Sequence, residues 1–182
     1  MKRNGLIFLL VALLVLPVFA VSLTSCGKEV KKDVGLTDEE KARLEAERRA
    51  KEAEEARRRQ LMEQEKAAKE AFQNEHVYFD FDKYNIRKDQ EAKLRFKADY
   101  MTSHAKVAAE VQGHCDERGT NAYNMALGDR RAHSAKNFME SLGVAGSRMK
   151  TVSYGEEKPV DTGHNEAAWS KNRRAQFVIT AE

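Results

Sequence analysis

The residues best suited to chemistry lie in a short polar segment, residues 113–120, and in the stretch that follows it. Asp116 offers a carboxylate, and Arg131 offers a guanidinium on what is predicted to be the inward face of a helix. An arginine in a partly buried place keeps its charge and needs an oxygen acceptor within reach. Asp116 is the nearest candidate acceptor. The two residues form either a structural salt bridge or a site that presents one acceptor and one donor to a ligand.

The elements that hold this segment can be predicted from periodicity. Apolar Val107, Ala109 and Val111 alternate with polar or small residues, which is the pattern of a strand that ends at Gly113. Thr120 or Asn121 can cap the helix that follows. That helix has an inward stripe at helical spacing. The stripe contains Leu127, Ala135, Phe138 and Leu142, together with Asn124 and Arg131.

Strands and helices alternate through the remainder of the C-terminal part. Strands are predicted at residues 77–81, 107–112, 149–153 and 176–180. Helices are predicted at residues 88–103, 123–142 and 166–171, the last capped by Asn165, and the inward residues expected on the first are Leu94, Phe96, Ala98 and Met101. The pattern predicts an α+β domain with two layers, in which helices cover one face of a mixed sheet. Ligands of such sheets bind beyond the strand ends, where residues 113–120 lie.

Four motifs occur in order along this part of the chain. They are VYFDFDKYNI at 77–86, GHCDERGTNAYNMALGDRRA at 113–132, YGEEKP at 154–159 and SKNRRA at 170–175. Together they resemble the OmpA-like family, in its branch of peptidoglycan-associated lipoproteins, from about residue 76 to the C-terminus. The resemblance implies a βαβαβ-based peptidoglycan-binding domain at residues 75–182 that is not an enzyme.

The resemblance also implies a set of binding residues. Asp116 and Arg131 match the family's key pair, and the other matching positions are Asn124, Arg173, Asp80 and Phe81. Arg174 could equally be a surface charge. The implied ligand is the diaminopimelate side chain of the peptidoglycan stem peptide, which ends in an amino group and a carboxylate and so needs an acceptor and a donor. The implied partner is a TolB-like periplasmic protein, in a Tol-Pal system that serves cell division and envelope integrity.

The N-terminus predicts export and acylation. Residues 1–25 have a basic start and an apolar run at 6–16, the length of a signal-peptide core. Residues 23–26 match a lipobox, which predicts a covalent lipid on Cys26, no other cofactor, and a lipidated N-terminus and short linker at residues 26–36. The resemblance to bacterial lipoproteins, with Gly27 rather than an aspartate after the cysteine, also implies sorting to the outer membrane, facing the periplasm. Removal of the leader lowers the net charge from +3 to +1, so nucleic acid is not implied.

Residues 37–74 predict a charged helical spacer. From residue 38 to residue 70, 21 of 33 residues are charged, and acids repeatedly stand four positions before bases, as in Glu47 and Lys51. Thr37 and Glu40 have the spacing of a capping box. Large apolar residues are too scarce to sustain a heptad, so a solvated single helix is favoured over a coiled coil.

Two other functions are weighed against wall binding. His114, Cys115 and Asp116 could bind a metal in a cell-wall hydrolase, but successive residues of an extended segment point to alternate sides, and the sequence has no paired ligands at metal-site spacing. No metal site and no catalytic residue are therefore predicted. The charged helix could instead serve as a docking scaffold for other periplasmic proteins.

Overall fold

The computed structural model describes residues 35–182. The predicted signal peptide at 1–25, the predicted acylation site Cys26 and most of the predicted linker lie outside the described residues. Within residues 35–182, no helix combines the length and the apolar character that a bilayer span requires.

A long helix is followed by a four-stranded sheet with further helices. The helices are α1 (Asp38–Asn74), α2 (Glu91–Ser103), α3 (Asn121–Ser141) and α4 (Glu166–Asn172), and the strands are β1 (Val77–Tyr78), β2 (Ala108–His114), β3 (Met149–Gly155) and β4 (Arg174–Ala181). Short 3₁₀ turns precede α2 and β3. The sheet order is β1-β4-β2-β3, with β2 and β3 parallel and the other neighbours antiparallel. The predicted α+β fold with a mixed sheet is confirmed.

The long helix α1 begins as its sequence predicts. The hydroxyl of Thr37 accepts a hydrogen bond from the amide of Glu40 at 3.2 Å, and the Glu40 carboxylate accepts one from the Thr37 amide at 2.9 Å, so the capping box is confirmed. Further along, Lys51 and Glu47 form an exposed ion pair at 2.7 Å. The predicted charged helix is thus present, and the predicted pair of Glu47 and Lys51 forms on its exposed surface.

The last turns of α1 pack into the apolar core. Phe72 is fully buried, and its ring lies 5.1 Å from that of Tyr100 and 5.9 Å from that of Phe177. The ammonium of Lys97 donates to the Phe72 carbonyl and lies 4.9 Å from the Phe177 ring centroid. The core therefore includes residues before position 75, where the domain was predicted to start.

Three local predictions need correction. Phe96, expected to point inward, is exposed, and the next residue, Lys97, is buried because it caps the end of α1. Strand β1 ends at Tyr78 because the chain soon turns at Asp82, whose φ is +54°. Arg174 is buried under a loop and donates to the Lys158 carbonyl, so it is not a surface charge.

The contact between α3 and β2 positions the polar segment that follows β2. A Cβ atom on Gly113 would lie 1.8 Å from the carbonyl oxygen of Gly128, so the helix and the strand end touch through their backbones. On either side of this contact the strand supplies buried Val111, and the helix supplies buried Leu127 and Ala132. Residues 114–120 therefore emerge directly beside the first two turns of α3.

Candidate functional site

Three segments meet around a cavity of about 230 Å³ at this end of the sheet. They are the loop after β1, the turn after β2 and the first turns of α3. The lining residues are Phe81, Asp82, Cys115, Asp116, Arg118, Gly119, Tyr123, Asn124, Leu127 and Arg131. The cavity therefore joins aromatic and apolar walls to two carboxylates and two guanidinium groups, which is the usual composition of a site for a small polar ligand.

Local sequence features form the wall that carries the carboxylate. The side chain of Thr120 accepts a hydrogen bond from the Tyr123 amide at 3.2 Å and so caps α3. Gly119 has a φ of +118°, a conformation that side chains disfavour. The turn can therefore reverse direction just before the helix and leave the Asp116 carboxylate at the cavity.

The Asp116 side chain is buried and held by two arginines. Oδ1 accepts from the backbone amide of Arg118 at 3.1 Å and from its Nε at 3.1 Å, and Oδ2 accepts from Arg118 Nη2 at 2.8 Å and Arg173 Nη1 at 3.1 Å. Burial opposes ionisation, but these hydrogen bonds outweigh it and hold the pKa of Asp116 below its ordinary value. The cavity thus contains a fixed negative charge at neutral pH.

Arg131 is fully buried and binds backbone carbonyls rather than Asp116. Its Nε donates to the Lys83 carbonyl at 2.8 Å, one Nη donates to the His114 carbonyl at 2.8 Å and contacts Cys115 Sγ at 3.4 Å, and the other donates to the Asp80 carbonyl at 3.2 Å. Burial lowers the pKa of Arg131, and an arginine side chain keeps its charge in proteins. The alternative of a direct salt bridge with Asp116 is not seen, because three backbone carbonyls from two segments, the loop after β1 and the end of β2, accept this guanidinium's hydrogen bonds.

Arg118 lies at the cavity rim between two aromatic rings. The guanidinium carbon is 4.0 Å from the Phe81 ring centroid and 4.1 Å from that of Trp169, which is the geometry of a double cation–π contact. The Glu166 carboxylate lies 3.6 Å from its Nη2. Arg118 is not among the residues predicted from the sequence, although its position two residues after a buried aspartate on a tight turn was a usable signal.

The other predicted binding residues are distributed around these charges. Asn124 is buried and donates to the carbonyl of Asp116 at 3.2 Å and to the Glu156 carboxylate at 2.5 Å. Arg173 reaches Asp116 from the end of α4. The backbone carbonyl of Asp80 accepts a hydrogen bond from Arg131, while the carboxylate of Asp80 is exposed to solvent. Phe81 lines the cavity directly, so the structure brings together Asp116, Asn124, Arg131 and Phe81, with Arg173 behind them.

The histidine and the cysteine beside the carboxylate have different surroundings. His114 is buried with its ring 5.5 Å from that of Tyr154, and burial lowers its pKa to about 3. The Cys115 thiol lies 3.3 Å from the Asn124 carbonyl, and burial raises its pKa to about 11. A thiol with that pKa is a poor nucleophile at neutral pH. Across residues 35–182, no three His, Cys, Asp or Glu side chains are grouped as metal ligands would be.

Known proteins share both the sequence and the fold of this domain. A model described as OmpA family matches residues 78–173, just over half of the chain. The peptidoglycan-associated lipoprotein of Agrobacterium fabrum is 46% identical over 105 residues, which are 58% of this chain and 59% of that protein. That of Pasteurella multocida is 50% identical over 99 residues, 54% and 66% of the two chains. The matched part thus spans about three fifths of the length of these curated relatives.

Solved structures agree with the sequence matches. The crystal structure of the peptidoglycan-associated lipoprotein from Burkholderia pseudomallei has a TM-score of 0.56 at 46% identity and covers 57% of this chain and 88% of that one. The C-terminal domain of Helicobacter pylori MotB has the same TM-score at 18% identity, over 59% and 85% of the two chains, which shows a shared fold alone. By the extent of the family match and the agreement of the fold, the chain belongs to the OmpA family.

Proposed function

We propose that this chain is an outer-membrane lipoprotein that binds peptidoglycan non-covalently through the cavity and so tethers the outer membrane to the cell wall. The observation that carries the proposal is the cavity itself, in which the ionised carboxylate of Asp116 and two arginines face the same small volume. The names of the relatives, which are peptidoglycan-associated lipoproteins, support the choice of ligand.

The chemistry of the stem peptide fits the charges of the cavity. Diaminopimelate ends in an ammonium and a carboxylate on one carbon, and it is found in the wall peptide that the family resemblance implies. Asp116 supplies the acceptor for the ammonium, and the arginines supply donors for the carboxylate. Phe81, Tyr123 and Leu127 provide apolar walls for the methylene groups of the side chain. Diaminopimelate is therefore the ligand that we propose.

Binding rather than catalysis is the proposed activity. The Asp116 carboxylate is already paired with Arg118, and Cys115 is a buried thiol with a raised pKa. A general base or nucleophile needs an oriented partner and a pKa near the working pH. The groups around this cavity are arranged to hold a zwitterion in place.

The proposed cellular setting is the periplasmic side of the outer membrane. A lipid on Cys26 would anchor the chain there with the binding domain in the periplasm, and a TolB-like protein would bind near the same loops, as the family resemblance implies. In that setting the chain would act in a Tol-Pal system during cell division. Cys26→Ser should release the chain from the membrane fraction and abolish labelling by radioactive palmitate; labelled, membrane-bound Cys26→Ser protein would contradict the anchor.

The binding proposal is tested with purified sacculi. The full chain should co-sediment with diaminopimelate-containing sacculi, and Asp116→Asn should lose this binding because the amide carries no charge for the ammonium. The matched control is Asp99→Asn, which changes an exposed aspartate on α2 and should leave binding intact. Full binding by a folded Asp116→Asn variant would show that the cavity is not the wall-binding site.

A further inference from the structure

Lys97 places an amine inside the apolar core. The residue has no exposed surface, and its side-chain nitrogen donates to the carbonyl of Phe72 in the last turn of α1. The rings of Phe72 and Phe177 lie 5.0 and 4.9 Å from that nitrogen. Within residues 35–182 its close partners are thus a carbonyl and two rings instead of a carboxylate. A positive charge held in this way loses its hydration without gaining a counter-charge.

The end of α1, residues 65–74, covers this amine. Phe72 is the buried residue of the helix, and residues 38–67 are exposed. Next to Phe72, the Gln73 side chain accepts a hydrogen bond from the Ile179 amide at 3.4 Å. If this last part of the helix lifted away, the amine would return to water. The burial of the amine therefore depends on how firmly the end of α1 is docked.

Docking of the helix end and protonation of the amine oppose each other. Burial lowers the pKa of Lys97 to about 7, whereas an amine returned to water has the ordinary value of 10.5. The undocked state therefore binds more protons than the docked state between these two values. Docking strengthens as pH rises through this range, and it is weakest below pH 7, where the amine is charged in both states.

The charged groups around the amine do not reverse this dependence. The carboxylate of Glu75 attracts its charge, and Lys93, one turn earlier on α2, repels it. His76 adds no charge near neutrality, because burial and the nearby cations lower its pKa to about 4. The pair of His104 and Glu65, at 3.0 Å, acts in the opposite direction because it forms only when His104 is protonated. Both side chains of that pair are partly exposed, so its contribution is small.

From this packing we infer that the end of α1 is a proton-controlled clasp: residues 65–74 dock on the core when the Lys97 amine is neutral, and protonation of the amine favours their release. Release uncovers the Phe177 ring and the Ile179 amide and lengthens the solvated part of α1. None of these residues lines the cavity, so the inference is independent of the proposed ligand.

Hydrogen exchange of the full chain, followed by mass spectrometry at pH 6 and pH 8, tests the clasp without a substitution. After correction for the intrinsic exchange rate, the protection of the amides at residues 68–74 should rise by about tenfold between the two pH values, because release takes up a proton. At both pH values this protection should stay below that of β2, since the helix end opens by itself. Protection that is independent of pH, or equal to that of β2, would overturn the inference.

Lys97→Met keeps an unbranched side chain but cannot take up a proton, so the protection at residues 68–74 should be the same at both pH values. The matched control, Lys106→Met, changes an exposed lysine and should keep the tenfold response. In NMR of the chain labelled with ¹³C-lysine, one lysine signal should titrate near pH 7 and be absent from Lys97→Met. A full pH response in folded Lys97→Met, or a Lys97 signal that titrates at the ordinary value of 10.5, would contradict the clasp.

Discussion

Helix α1 and the cavity are both rich in charged side chains, yet burial gives those charges different consequences. On α1, Lys51 and Glu47 lie 2.7 Å apart, and both side chains are more than half exposed. At the cavity, Asp116 and Arg173 lie farther apart, at 3.1 Å, and both are buried. An exposed pair contributes about 0.3–0.5 kcal/mol to a helix, whereas removing one partner of a buried pair costs about 3–5 kcal/mol. Burial rather than distance decides which charges matter.

The two regions also differ in what their charges can do. Charges on the exposed part of α1 lie in water, where pairs such as Glu47 and Lys51 support the helix without burying it. Charges at the cavity are held by carbonyls and rings, so their positions are fixed before a ligand arrives. Preorganised groups bind with less loss of conformational entropy. The cavity is therefore the region in which single substitutions should change both stability and binding.

The largest expected effect is that of Arg131→Met on stability. The variant loses hydrogen bonds to three backbone carbonyls that stay buried, so we expect the free energy of unfolding to fall by about 3–5 kcal/mol. Urea unfolding followed by circular dichroism measures this fall. The matched control on α1, Arg48→Met, should change the free energy by less than about 0.5 kcal/mol. Equal effects at the two positions would contradict the contrast between the regions.

The second effect distinguishes the buried end of α1 from the exposed part of the same helix. Phe72→Ala removes a fully buried ring from the core and should lower the free energy of unfolding by about 3 kcal/mol. Leu61→Ala, which truncates an exposed apolar residue on the same helix, should stay within about 0.5 kcal/mol. The same urea titration compares them. If Phe72→Ala were as mild as Leu61→Ala, the end of α1 would not belong to the core.

A smaller effect concerns pH. The carboxyl of Asp116 has a folded pKa below its ordinary 3.8, so its contribution to stability is fully present well above that value and is lost as pH falls through the folded pKa. The unmodified chain should therefore lose more stability between pH 6 and pH 3 than Asp116→Asn does. Thermal midpoints over this range measure the difference. Parallel pH profiles for the two proteins would show that Asp116 is not held as the structure indicates.

The smallest effect is expected on α1. Lys51→Ala should lower helix stability by about 0.3–0.5 kcal/mol, and the difference should shrink in high salt because ions screen exposed pairs. Circular dichroism of a peptide covering residues 36–74 at low and high salt gives the measurement. A random-coil spectrum at low salt would show that the charged pairs do not stabilise the helix.

Local signals predicted most of the fold. Thr37, Thr120 and Asn165 cap their helices as their positions in the sequence indicate. The apolar stripe of α3 placed Asn124 and Arg131 on the buried face, and both are buried. Caps and periodicity depend on neighbours within a few residues, so a single sequence is enough to detect them.

Caps and periodicity could not predict the contacts between segments that are distant in the sequence. The partners of Arg131 are backbone carbonyls, which every residue has, so residue types cannot reveal them. Lys97 is buried because the end of α1 lies above it, a contact that joins positions 25 residues apart. Arg118 became visible only when Phe81 and Trp169 were placed on either side of it. The binding roles assigned from the family resemblance to Asp116, Asn124, Arg131, Arg173, Asp80 and Phe81 stay predictions.

The central claim is that the wall peptide binds in the cavity that Asp116, Arg118 and Arg131 line. Side-chain NMR of the full chain labelled with ¹⁵N-arginine, titrated with the diaminopimelate tripeptide, tests this claim most directly. The Nε–H signals of Arg118 and Arg131, which line the cavity, should shift and saturate as the tripeptide binds, while that of Arg48 on the exposed part of α1 should keep its position. Unchanged signals at both Arg118 and Arg131 in the presence of saturating tripeptide would contradict the account.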